Sequence, residues 1–431
     1  MNPRLLWSAS SLVLALAPTL PTRADIAPAP VAAPAPERDL TDALRRIAAG
    51  DLDGALAGLD ALILRTPNFR LAHLARGDAL LARAGALDGF GAAPHADAAA
   101  LDALRDEARL RLAALAPSSR PDAVPAALLR LAPRERHALV IDTAQARVFV
   151  YRNAGDRLER VADFYASHGK QGAVKQREGD QRTPTGVYRT VGWLRPAELT
   201  DFYGAGAFPL SYPNAWDRRS GREGFGIWLH GAPSDTYARA PRASDGCVVL
   251  ANEDLRALAA FVEPGLTPVV IEDGVELVAP SELTAERGAL ESAVESWRSD
   301  WASRDPVRYL AHYARGFASD AGEDLEAWSA HKRRVNAAKT SIEVGLSELS
   351  LQRSGAAAVV TFVQDYRSSN LSAVMQKRQY WVREDGAWRI AWEGDAARDL
   401  GRPLRSRAQL LSVTRAAPGA GRATVAGAPS P

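Results

Sequence analysis

RASDGCVVLANED, residues 242–254, holds Cys247, the only cysteine in a chain of 431 residues. A lone thiol cannot close an intramolecular disulfide. It is a buried filler, half of an intermolecular bridge, a metal ligand or a nucleophile. Gly246 precedes it, and the apolar run Val248-Val249-Leu250 follows, which reads as a short strand. Asn252 then offers an N-cap for the helix NEDLRALAAFVE (252–263), with Glu253 and Asp254 at the positive end of its dipole.

A cysteine nucleophile reacts as the thiolate and needs a base or a lowered pKa. His230, in GIWLHGAP (226–233), closes another apolar strand 17 residues before Cys247. If the two strands are neighbours, imidazole and thiol meet at one end of a sheet. Spacing alone also fits a structural histidine. His168, in ASHGKQG (166–172), is expected in a glycine-rich turn facing solvent. No second Cys or His follows at ligand spacing, so neither a zinc site nor any cofactor is expected.

Outward from this stretch the chain changes character several times. MNPRLLWSASSLVLALAPTLPTRADIA reads as an export signal over 1–24, with Arg4 before an apolar core too short to span a bilayer. Residues 25–38 are a Pro/Ala linker. A helical region follows over 39–118, in which DALRRIAAGDLDG from Asp42 is echoed by DALLARAGALDG from Asp78, suggesting tetratricopeptide-like hairpins. So few repeats would need a neighbour to pack on.

From 135 to 280 the pattern is mostly β, opening with a hairpin at ALVIDTAQARVFVYR (138–152) that turns near Thr143–Ala146. Residues 281–395 begin with two helices, ERGALESAVESWRSDWASRD (286–305) and PVRYLAHYARGF (306–317). Antiparallel strands follow, an α+β order. The stretch 401–431 has arginines, no acidic residue and a Pro/Gly/Ala end, and reads as a disordered tail. A net charge of +2 without an aromatic-studded basic stripe argues against nucleic acid as a partner.

The run IWLHG (227–231) followed by ASDGCVVLANED (243–254) resembles the signature of the L,D-transpeptidase (YkuD) family. That signature is a His-Gly, a gap of about fifteen residues, Ser/Thr-His-Gly-Cys, and an Asn-Glu/Asp pair opening a helix. GKQG (169–172) with EGDQRTPTGVY (178–188), and LSYPNAWD (210–217), resemble further family elements in the family's order. The resemblance implies a mostly β catalytic domain acting on peptidoglycan stem peptides. It makes Cys247 the nucleophile and His230 the base, with the Gly231 carbonyl orienting the imidazole. Backbone N–H groups near Gly246 and Cys247 would hold the oxyanion, and Ser244 would support the loop. Tyr212, Arg239, Arg242 and Asp245 are substrate-binding candidates.

Two positions depart from the family pattern: Asp245 replaces the usual His, and Val249 the usual Arg. A carboxylate beside a thiol raises the thiol's pKa. Protonated His230, Arg239 or Arg242 could offset it, or Asp245 could attract the cationic amine of a diaminopimelate side chain.

The third unit resembles the nuclear-transport-factor-2-like (NTF2-like, SnoaL-like) fold. The residues that carry this are Trp297, Trp301, Asp305, Tyr309, Tyr313 and Phe317, then VVTFVQDYRS (359–368) and YWVREDGAWRIAWEG (380–394). Aromatics at helical spacing point to core packing. The domain order also resembles that of cell-shape L,D-carboxypeptidases. The expectation is therefore a multidomain periplasmic enzyme of peptidoglycan remodelling, an L,D-transpeptidase or alternatively an L,D-carboxypeptidase. An envelope protein partner could dock on the helical or NTF2-like region. A different class, a non-catalytic wall-binding scaffold, would leave Cys247 an ordinary thiol.

Overall fold

The computed structural model describes residues 35–85, 89–92, 97–116, 120 and 122–400. The expected export signal, most of the expected linker and the expected tail lie outside the described residues. Among the described residues no helix is long and apolar enough to cross a membrane.

Four helices come first: α1 Ala35–Ala48, α2 Leu52–Arg65, α3 Arg70–Ala84 and α4 Ala98–Ala113. Asp51 caps α2 by accepting from Gly54 N at 3.0 Å, and Asp97 caps α4 by accepting from Ala100 N at 2.8 Å. α1 starts inside the stretch read as linker, because buried Glu37 pairs with Arg111 and Arg147 and fixes the end of the Pro/Ala run. The two echoed segments begin on the last turns of α1 and α3, but a tight turn at Gly50 follows one, and residues 85–97 separate α3 from α4.

Two short strands, β1 Val124–Pro125 and β2 Leu128–Arg130, precede the hairpin β3 His137–Asp142 and β4 Arg147–Asn153. Then come β5 Leu158–Gly169, β6 Gly186–Arg189, β7 Ala207–Pro209, the short helix α5 Ala215–Arg219 and β8 Trp228–His230. The stretch around Cys247 supplies β9 Arg242–Ser244, β10 Val248–Leu250 and α6 Asn252–Ala259, followed by β11 Pro268–Glu272 and β12 Leu277–Val278. The main sheet runs β6-β11-β3-β4-β5-β10-β8-β7, with β9 beside β5.

The opening hairpin is apolar on both faces, and the structure shows why. Leu139, Ile141, Val148 and Val150 point into one core with Leu255 and Leu258 of α6. Ala138, Val140, Phe149 and Tyr151 point into another, which they share with Val359, Tyr380 and Trp392 of the C-terminal unit. Period-two alternation therefore sorts residues between two buried faces rather than between core and water.

The C-terminal unit has α7 Pro280–Ala302, α8 Pro306–Leu310, β13 Tyr313–Ser319, α9 Leu325–Ala337, β14 Ile342–Ser354, β15 Ala357–Ser368, β16 Leu371–Glu384, β17 Ala387–Asp395 and α10 Ala396–Asp399. The helix expected over 306–317 stops at Leu310, and Tyr313–Ser319 is a strand parallel to β17. The Tyr313 hydroxyl draws this segment inward, meeting Tyr309 Oη at 2.6 Å and Trp297 Nε1 at 3.2 Å. Trp297, Trp301, Tyr309, Tyr313 and Phe317 all lie in one buried cluster.

The sheet order is β13-β17-β16-β15-β14-β2, so a strand from before the β3–β4 hairpin completes the C-terminal sheet. A second joint lies at α5, where Trp216 stacks on Tyr380 at 5.3 Å and Ala215 N donates to Asp399 Oδ1 at 2.5 Å.

Candidate active site

β8 and β10 are parallel neighbours, with His230 level with Val249. Cys247 lies two residues before Val249, so its side chain falls on the same face as His230. Both line a cleft of about 200 Å³ with Phe202, Tyr203, Phe225 and Arg239. Phe202 and Tyr203 box the imidazole, with ring centroids 5.7 and 5.0 Å from it.

Cys247 sits in the kink between β9 and β10. Gly246 takes φ +126°, and a Cβ there would come within 2.7 Å of the Arg182 carbonyl. Only glycine fits. Ser244 Oγ donates to the Cys247 carbonyl at 2.6 Å and accepts from Gly246 N at 3.1 Å. That bond occupies the Gly246 N–H, so it is not free to receive an oxyanion, contrary to the sequence expectation. Thr183 Oγ1 donates to the Gly246 carbonyl at 2.9 Å and accepts from Gly169 N at 3.0 Å, tying the kink to the TPTG segment.

The His230 Nδ1–H donates to the Gly231 carbonyl at 2.7 Å. This leaves the lone pair on Nε2. Burial drives the imidazole pKa down to about 3. The Gly231 bond works against that fall, and the Arg239 charge adds to it. Burial likewise pushes the Cys247 thiol up to about 11. A hydrogen bond with the Trp228 backbone and the charges of Arg239 and Lys175 oppose that rise, and Asp245 reinforces it. The thiol points its proton at the Gly226 carbonyl, 3.4 Å away. The resting site thus holds a neutral thiol, bonded to the Gly226 carbonyl, and a neutral imidazole on the same face of the two strands.

Asp245 lines the cleft but is already partnered. Its Oδ1 accepts from Lys170 Nζ and Gln181 Nε2, both at 2.9 Å. The cation that offsets it is Lys170, of the GKQG segment, rather than Arg242. Arg242 is exposed and does not line the cleft. Tyr212 is also absent from the cleft lining: it is buried, and its hydroxyl donates to the Glu223 carbonyl at 2.8 Å.

His168 does not face solvent, because β9 pairs alongside it. It is 4% exposed, and burial together with Arg242 lowers its pKa to about 4.

The structure adds roles that the sequence does not signal. Asp180 gathers Lys175 Nζ at 2.7 Å and the N–H groups of Gln176, Arg177 and Arg182, which fixes the turn at the cleft mouth. Burial opposes its ionisation, yet these bonds hold its carboxyl at about 2. Asn252, expected as an N-cap, is the first residue inside α6, and Ala251 takes the cap position. The Asn252 side chain instead accepts from Ala205 N at 2.7 Å and donates to the Ala232 carbonyl at 2.8 Å. It thereby clasps the loops on either side of His230. An Asn beside an acidic residue at a helix start suggests only a cap, so this role had no local signal.

A model of the L,D-transpeptidase catalytic domain matches residues 136–271, and one of the C-terminal NTF2-like domain of Cds6 matches residues 289–394. Among solved structures, Bd1075 of Bdellovibrio bacteriovorus is 30% identical, with 63% of this chain and 97% of that one covered at a TM-score of 0.57. The helical cell shape determining protein Pgp2 of Campylobacter jejuni is 22% identical, covers 62% of this chain and 95% of its own, and has a TM-score of 0.52, a likeness of fold. A comparison with curated proteins finds no match. With a relative 30% identical matched along nearly its whole length, and both domain models in sequence, this chain belongs to the L,D-transpeptidase (YkuD) family, with a C-terminal NTF2-like domain.

Proposed function

We propose that the protein is a periplasmic L,D-transpeptidase that acts on tetrapeptide stems of peptidoglycan through a thioester on Cys247. The observation that carries this reading is that Cys247 and His230 stand on one face of two parallel strands and line one cleft of about 200 Å³. As the stem enters, Cys247 Sγ attacks the carbonyl of its third residue. His230 Nε2 takes the thiol proton and then passes it to the amine of the leaving D-alanine. The Gly231 carbonyl keeps the imidazole in the tautomer this needs. The Cys247 N–H serves the oxyanion, since Ser244 occupies the neighbouring one. Lys170 neutralises Asp245, which limits its repulsion of the developing thiolate.

In the transpeptidase reading, the side-chain amine of a second stem resolves the thioester. A second reading has water as acceptor, trimming tetrapeptide to tripeptide and contributing to cell shape. The cell-shape part of this reading rests on the likeness of fold to the helical cell shape determining protein, and water as acceptor rests on the domain order, which resembles that of cell-shape L,D-carboxypeptidases. The test is to incubate the purified protein with disaccharide-tetrapeptide and identify the products by mass spectrometry. Dimers joined through their third residues establish transpeptidation. Tripeptide with free D-alanine and no dimer assigns the carboxypeptidase reaction, and an untouched substrate rejects both.

A further inference from the structure

Helices α1–α4 precede the residues that either family model matches, yet they hold part of the catalytic cleft. The segment joining β8 to β9 contains Ser234, Tyr237 and Arg239. Asn68, just before α3, donates through Nδ2 to the Ser234 carbonyl at 3.0 Å, and its backbone carbonyl accepts from Tyr237 N at 3.3 Å. Phe69 packs on the Tyr237 ring at 4.3 Å, and Tyr237 joins the apolar core of the helices.

A second strut comes from α4. The Arg111 guanidinium, 2% exposed, lies 3.8 Å from the centre of the Tyr165 ring, and the Tyr165 hydroxyl donates to the Arg239 carbonyl at 2.9 Å. Arg111 is itself fixed by Glu37 at 3.2 Å and Glu107 at 3.0 Å.

The loop so held carries a cleft-lining cation that has no carboxylate partner among the described residues. Lys175 is committed to Asp180 and Lys170 to Asp245. The Arg239 guanidinium lies over the Phe202 ring at 4.7 Å and has no hydrogen bond or ion pair with a carboxylate among the described residues. It lines the same cleft as Cys247, close enough for the two charges to influence each other. A half-buried guanidinium that stacks on a ring but has no carboxylate partner among the described residues suits a planar anion. In a stem peptide, the carboxylate nearest the scissile carbonyl is that of the leaving residue, one α-carbon beyond the amide nitrogen.

Resting on the reading of this cleft as the tetrapeptide site, we propose that Arg239 recognises the terminal carboxylate of the leaving residue, and that the N-terminal helices, through Asn68, Phe69 and Arg111, are the positioning element that holds it there. The test compares tetrapeptide with its C-terminal amide, using the ratio of the two kcat/KM values as readout. Any effect of Arg239 on thiol ionisation is common to both substrates and cancels in the ratio.

The wild-type protein should prefer the acid by about 10- to 100-fold, as expected for a charge-assisted bond. Arg239→Gln should bring the ratio near one, mainly through KM for the acid. Phe69→Ala and the milder Asn68→Ala should lower the ratio several-fold, whereas Tyr237→Phe, which keeps the ring contact, should preserve it. Equal losses on acid and amide in Arg239→Gln would overturn the assignment of Arg239. An unchanged ratio in both helix variants, with melting showing them folded, would overturn the role of the helices. A wild-type protein that turns over neither peptide would reject the tetrapeptide reading itself.

Discussion

The resting state of the thiol gives the sharpest expectation. With burial pushing Cys247 to about 11 from an ordinary 9.0, about one molecule in 10⁴ is thiolate at pH 7, against about one in 10² for an unperturbed thiol. Alkylation by iodoacetamide should therefore run about 100-fold slower at pH 7 than for a free cysteine. It should rise about tenfold per pH unit, with no plateau below about pH 10. His230 is neutral throughout this range, since its pKa lies near 3. His230→Ala should accordingly change alkylation by less than about threefold while lowering peptide turnover by about 10²- to 10⁴-fold, the usual loss for a general base. Stopped-flow alkylation from pH 5 to 11, followed by intact mass, makes the measurement. A plateau below pH 8 that disappears in His230→Ala would show a preformed thiolate–imidazolium pair and refute the reasoning.

Three further outcomes follow from the packing. Asn252→Ala leaves the Ala205 N–H and the Ala232 carbonyl without their partner. It should cost about 1–3 kcal/mol in chemical denaturation and reduce turnover more than its melting shift explains, because the loops beside His230 loosen. Asp254 has a buried, unpartnered Oδ1, and burial raises its carboxyl from 3.8 to about 7. The unfolded chain therefore ionises it more readily, and its burial costs stability increasingly as pH climbs from about 4 to 7. Asp254→Asn should be neutral at pH 4 and stabilising by roughly 4 kcal/mol at pH 8 in urea titrations. Asp399→Ala removes the carboxylate from buried Arg378, 2.7 Å away, and from the α5 joint. Differential scanning calorimetry should show a loss of about 3–5 kcal/mol, the usual penalty for orphaning a buried charge.

Cys247 and His230 could be read from sequence because each borders a short apolar strand, and parallel pairing of adjacent strands brings such borders together. The opening hairpin was legible from its alternation. Its double burial was not, since the second face is covered in part by Val359, Tyr380 and Trp392, more than 200 positions away. Lys170 reaches Asp245 across 75 residues, and Phe202 and Tyr203 come to His230 on a single turn of 3-10 helix, Asp201–Tyr203, too short to show a periodic pattern. Residues 124–130 fell between units in sequence because their partners are β12 and β14, far along the chain. The segment 306–317 reads as helix past Leu310 because Tyr309, Tyr313 and Phe317 recur every four residues. The pairing with β17 and the hydroxyl contacts of Tyr313 then outweighed that spacing.

The central claim is that Cys247 forms a thioester at the third residue of a tetrapeptide stem and expels D-alanine. The measurement that tests it most directly is D-alanine release from disaccharide-tetrapeptide by the wild-type protein and Cys247→Ala, side by side at equal concentration. The account predicts release in step with substrate loss for the wild type and none above background for the variant. Equal release by both proteins, or none from the wild type, would contradict it.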